Sequence, residues 1–116
     1  MVARRNKDDA AKSDIVLTCT SVHGNSVFLN ERTVEHVNER HPEVLGIPNL
    51  LSEIKATIES PRFIAAGRTH ELVALKEISG IHKYLAVFYI EGGRVKTIFI
   101  TSKPDSFRRR GVIWPK

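Results

Sequence analysis

The sequence predicts an α+β domain in which two short N-terminal helices pack on one face of a four- to five-stranded antiparallel sheet. Three observations carry this. Helical apolar spacing occurs in two runs, 31–41 and 49–60, each closed by a proline, Pro42 and Pro61. After Arg62 the apolar period drops to two, in the β-prone segments 62–66, 71–77, 83–90 and 94–101. The breaks between those segments, 67–70, 79–82 and 91–93, are too short to join anything but antiparallel neighbours.

Residues 1–14 read as a flexible basic arm, charged and poor in large apolar groups, with Arg4, Arg5 and Lys7 able to touch phosphate or to stay solvated. The single domain then runs from 15 to 116. Ile15–Cys19 and Val27–Leu29 are short β-prone runs around the turn-like 21–25 and suggest a small hairpin. Asn30 is a good N-cap for the first helix. On that helix Val34, Val37 and His41 share an apolar stripe, which Leu45 extends weakly beyond Pro42. Thr33, His36 and Arg40 lie on the flank beside it, three and four residues apart. The second helix has its stripe at Leu50, Leu51, Ile54 and Ile58.

In the last strand of the meander, alternation sends Val95, Thr97, Phe99 and Thr101 to one face and Lys96, Ile98 and Ile100 to the other. The isoleucines mark the side under the helices. The opposite face then shows two hydroxyls and a ring, with Lys83, Leu85, Val87 and Tyr89 as the neighbouring row. Such a face suits RNA, because rings stack on bases and cations take phosphates. The plainer reading, in which Phe99 and Tyr89 are core and Thr97 is a good strand former, stays open. Past 101 the chain is turn-like at Lys103-Pro-Asp and basic at 108–110. Val112, Ile113 and Trp114 read as a final short strand against the body.

Composition narrows the partners. Eighteen Lys and Arg against thirteen Asp and Glu give a sequence pI near 9.7, which favours polyanions, RNA or DNA ahead of a membrane surface. The single cysteine, Cys19, excludes an internal disulfide, fits a reducing compartment such as the cytoplasm, and sits in an apolar run as a core residue. No export signal and no run of membrane-spanning length is visible, although a toxin carried within a larger polypeptide would look the same. Neither metal nor cofactor is expected. Paired cysteines, H-E-x-x-H, P-loop, dinucleotide and G-x-S-x-G motifs are all missing.

The order of elements, the helix ending H-x-x-x-RHPE (His36, Arg40, His41, Pro42, Glu43), the proline-closed second helix and the run LVALKEISGIHKYLAVFYIEGGRVKTIFITS over 72–102 together resemble the barnase–EndoU–colicin–RelE-like nucleases, particularly their phage-associated members. The resemblance covers about residues 30–103. It implies a metal-independent endoribonuclease of toxin type, with RNA (tRNA among the candidates) as substrate and an antitoxin or immunity protein as a candidate partner. Such cleavage uses the RNA 2′-hydroxyl as nucleophile and leaves a 2′,3′-cyclic phosphate, so the protein must supply a base, an acid and cations. On this reading His36 is the base and Arg40 stabilises the phosphorane, with the hydroxyls of Thr97, Thr101 and Ser102 on the phosphate. Lys83 and Arg68 add charge, and Phe99 stacks on a base. His41, on the apolar stripe, is expected to be structural. His23, His70 and His82 fall in turns. A non-catalytic RNA-binding module and a small protein-interaction domain are the alternatives.

Overall fold

The computed structural model describes residues 15–115, so the arm expected at 1–14 lies outside the described residues. Strands β1 (Ile15–Thr20) and β2 (Ser26–Asn30) pair antiparallel as a separate hairpin. Helix α1 (Glu31–Arg40) follows β2 with no intervening loop. Its cap is the expected one: Asn30 Oδ1 accepts from the Thr33 N–H at 2.9 Å. Pro42 opens a 3-10 turn, Pro42–Gly46, and α2 (Leu50–Glu59) comes after it. Asn49, just before α2, takes φ 56, the left-handed conformation that Asn tolerates better than most residues.

Strands β3 (Phe63–Ala66), β4 (Leu72–Glu77), β5 (Tyr84–Tyr89) and β6 (Val95–Thr101) form the antiparallel meander. A one-turn helix α3 (Asp105–Arg108) leads into β7 (Val112–Trp114). β7 joins the far edge beside β3, so the five-stranded order is β6-β5-β4-β3-β7. The fifth strand therefore comes from the C-terminus. The backbone of the N-terminal hairpin pairs with the sheet at a parallel bridge, Phe28 to Arg94, where the Phe28 N–H donates to Gly93 O at 3.0 Å.

Both faces of the sheet are apolar. On one, Ile64, Ala74, Leu85, Val87, Tyr89, Val95 and Ile98 pack with Val27 and Leu29 of the hairpin, Val37 of α1 and Ile54 and Ile58 of α2. Cys19 belongs to this core, and burial pushes its thiol up to about 11, leaving it protonated near neutrality. Leu51, assigned to the α2 stripe from sequence, is 44% exposed. The other face holds Phe63, Ala65, Val73, Leu75, Ala86 and Phe88, covered by Phe107 of α3.

The register corrects one expectation. Directly opposed residues of an antiparallel pair share a face, and the pairs are Phe88↔Thr97, Ala86↔Phe99 and Tyr84↔Thr101. The row beside Thr97, Phe99 and Thr101 is thus Tyr84, Ala86 and Phe88, while Leu85, Val87 and Tyr89 point under the helices. Val95 also leaves the Thr97 row. A register shift between Phe88 and Tyr89 sets Val95 opposite Tyr89 and leaves Lys96 as the extra, bulged residue.

A polar clasp ties the hairpin to the sheet. Glu91, in the β5–β6 turn, accepts from the Ser21 hydroxyl, from Asn25 Nδ2 at 2.8 Å and lies 3.3 Å from His23 Nδ1. Partial burial pushes the Glu91 carboxyl up, but the bonds from Ser21, Asn25 and His23 together outweigh it and hold the group below the usual carboxylate range. A depressed carboxyl stabilises the fold above its unfolded pKa and loses that contribution as pH falls through the folded value. Glu91→Gln should therefore cost about 1–2 kcal/mol near neutrality. The gap between wild type and variant, read from urea midpoints, should close as the pH drops below about 4. A gap that stays constant across that range would show that the charge on Glu91 contributes nothing to the clasp.

Candidate functional site

The position of α1 follows from the chain that precedes it. β2 is held at Gly93 and Arg94, and α1 starts at the very next residue, so the helix must begin near the start of β6. The Thr33 hydroxyl accordingly donates to Val95 O at 3.2 Å. Eight residues later His41 reaches Phe99, so α1 runs beside the edge strand instead of crossing its far end.

His36 is consequently placed in a groove with Arg32, Thr33, Arg94 and Lys96, floored in part by Phe28. Thr101 lies five residues further along β6 than Lys96, about 16 Å at strand rise. The structure therefore does not bring His36 to Thr101 or Ser102, as the sequence reading required, and Thr97 is not among the residues lining the groove. Arg40 is exposed and makes no ion pair among the described residues. Arg68 sits in the β3–β4 turn, at the end of the sheet that also carries the β5–β6 turn. Lys83 and Ser102 lie at the opposite end, so the expected phosphate contacts divide between two ends of the strands. His70 and His82 are exposed in their turns, as expected, and His23 serves the Glu91 clasp.

His41 is not on a buried stripe. Pro42 stops the helix, and His41 takes φ −139 as its C-cap, with its N–H bonded to Val37 O. That non-helical backbone turns the ring off the helical wheel and toward Phe99, on the sheet face bearing the two threonines. The imidazole centroid is 5.2 Å from that of Phe99, Nδ1 lies 3.8 Å from Glu43 Oε2, and the side chain is 36% exposed. Glu43 is too distant for a hydrogen bond to the ring.

Around His41 and Phe99 the face is a cluster of rings. Phe88 and Phe107 lie 5.4 and 6.0 Å from Phe99, and Phe107 meets Phe88 edge-on at 6.1 Å. Arg108 is stacked 4.0 Å over Phe63, and Arg110 is 5.1 Å over Phe107. Thr97, Thr101 and Tyr84 complete the face, all partly exposed. At its end Thr101 Oγ1 accepts the Lys103 N–H at 3.0 Å, beside a shallow depression of ≈ 280 Å³ lined by Ser102, Lys103, Pro104, Asp105, Ser106 and Arg109. Sequence reasoning missed Tyr84, Phe88 and Phe107 as members of the Phe99 face, and Arg108 and Arg110 as cations stacked on its rings Phe63 and Phe107. The 108–110 run was visible as charge, but nothing local showed that Phe107 would fold it back over the sheet.

Among the described residues no group of three His, Cys, Asp or Glu is placed to hold a metal ion, and no helix is long and apolar enough to cross a membrane. No protein-family model matches the chain, and neither a curated protein nor a solved structure matches it.

Proposed function

We propose that this chain is a metal-independent endoribonuclease of the barnase–EndoU–colicin–RelE-like kind, acting on RNA laid across the face of Phe99, Thr97 and Thr101. One observation carries the reading: a half-exposed imidazole, His41, is fixed against an aromatic ring on a face that also holds hydroxyls and arginines. The sequence motif H-x-x-x-RHPE supports it, with the role of base moved from His36 to His41.

In this reading a base of the RNA stacks on Phe99. His41 takes the proton of the adjacent 2′-hydroxyl, whose oxygen attacks the phosphorus as the bond to the 5′-oxygen of the next nucleotide breaks. That 5′-oxygen leaves as a hydroxyl by taking a proton from solvent water, and the other product ends in a 2′,3′-cyclic phosphate. Arg40, the residue before His41, balances charge on the phosphorane. Thr97 and Thr101 donate hydrogen bonds to phosphate oxygens, and Tyr84, across from Thr101, supplies a phenolic donor on the same face. Lys83 and Ser102 lie at the rim where the strand leaves. A non-catalytic RNA-binding module is the second reading, favoured by the tight packing of Phe88 and Phe107, which are 9% and 5% exposed and leave no deep cleft.

The test is incubation of the purified protein with total RNA in EDTA. Discrete fragments ending in 2′,3′-cyclic phosphate are the expected result. Binding without cleavage would select the second reading, and cleavage that requires a divalent ion would overturn the mechanism.

A further inference from the structure

The groove that holds His36 is not used by the proposed chemistry. It measures ≈ 760 Å³, larger than the depressions beside 76–82 and 102–109, at ≈ 440 and ≈ 280 Å³. Its walls are two facing rows of basic side chains. Arg32 and His36 are four residues apart on α1 and share a flank. Arg94 and Lys96 face them from the start of β6. All four are exposed, and no carboxylate is among the lining residues described. Arg32, Arg94 and Lys96 make no ion pair among the described residues. Glu71 feels Lys96 only as the weakest influence on its carboxyl, which the Thr69 hydroxyl already occupies. Like charges held this close repel, and a polyanion entering between the rows relieves that repulsion.

Two further features select the kind of polyanion. Phe28 presents a half-buried ring in the groove, and its backbone is pinned by the bond to Gly93 O, so the ring is held ready beside the cations. Arg40 continues the Arg32–His36 row by one more turn, with a rise of about 6 Å per step. That flank leads directly to His41, where α1 ends against Phe99. Resting on the reading of the chain as an RNA-binding enzyme, we infer that the groove and the α1 flank form a track for single-stranded RNA. The cations hold successive phosphates, Phe28 stacks on a base, and the strand is fed toward the His41 face. The enzyme's substrate is then an extended single strand several nucleotides longer than the site of cleavage, and not a dinucleotide step alone.

Oligodeoxyuridine is the probe, since it lacks the 2′-hydroxyl and cannot be cut by this route. Its affinity should be measured at lengths of about four and about twelve nucleotides, across a salt series. Wild type should bind the longer strand roughly tenfold more tightly. In Arg32→Ala/Arg94→Ala that length preference should vanish, and the salt slope should fall by about 1.4, the value for two lost single-strand phosphate contacts. Arg32→Lys/Arg94→Lys should keep most of the preference, which separates lost charge from a damaged fold. A double Ala variant that still prefers the longer strand overturns the track, as does a wild type that binds both lengths equally while cleaving RNA. In both of those cases the endoribonuclease reading stands. If neither length binds wild type, and RNA is not cleaved, both fall. If poly-glutamate instead binds in a way that requires Arg32 and Arg94, and oligodeoxyuridine does not, the groove serves an acidic protein and the inference is wrong.

Discussion

Replacing His41 should lower the rate of RNA cleavage in EDTA by on the order of a hundred- to ten-thousand-fold, the usual effect of removing a positioned base or acid. His41→Gln is the more informative variant, because it keeps a polar side chain over Phe99 while removing the group that can exchange a proton. His41→Ala also uncovers one side of Phe99 and should lose some stability with the activity. The two losses are separable by thermal melting and single-turnover kinetics. Arg40→Ala should slow the step less, since Lys83 and Lys103 remain near the rim. His36→Ala should act by weakening the binding of long RNA, a far smaller effect. A His41→Gln protein that cuts as fast as wild type would remove His41 from the mechanism. Should the rate collapse in His36→Ala as well, the base belongs to the groove and not to the sheet face.

The exchange of roles between the two histidines shows which parts of the site were legible in the sequence. The helices, their caps and the meander depend on local signals: Asn30 at an N-cap, prolines at 42 and 61, short breaks between β-prone runs. These segments appear where the sequence placed them, to within a few residues. The face of β5 was not legible, because YLAVFY is apolar at every position and alternation carries no phase when both sides of a strand are buried. The bulge at Lys96 reversed Val95 for a similar reason, since nothing local distinguishes it from a regular strand residue. His41 was assigned to the stripe by extending the helical period through a residue that Pro42 forces out of the helix. The partners of His36 depend on where α1 begins along β6, which the distant bond between Phe28 and Gly93 decides.

Phe107→Ala should be the most damaging single substitution on the candidate site's own side of the sheet, costing about 3–5 kcal/mol of folding stability. Phe107 is 5% exposed, and it packs on Phe88 and Phe99 from a helix of only four residues. One turn of helix has too few internal hydrogen bonds to persist alone, so this ring is what holds the segment to the sheet. The consequences spread in both directions. Arg110 stacks on Phe107 and loses its platform. Downstream, Gly111 O accepts the Ala66 N–H, and β7 follows at once, so a released α3 also loosens the outer strand of the sheet. The hairpin and α2 pack on the opposite face and should keep their protection. Hydrogen exchange should thus accelerate at Ala66 and along Val112–Trp114 in Phe107→Ala while remaining slow at Val27 and Leu29. Phe107→Leu, which keeps an apolar volume over Phe88, should restore most of that protection. If Phe107→Ala leaves exchange at Ala66 unchanged, the C-terminal segment is held by the pairing of β7 with β3, and the aromatic cluster is a binding surface with little part in the fold.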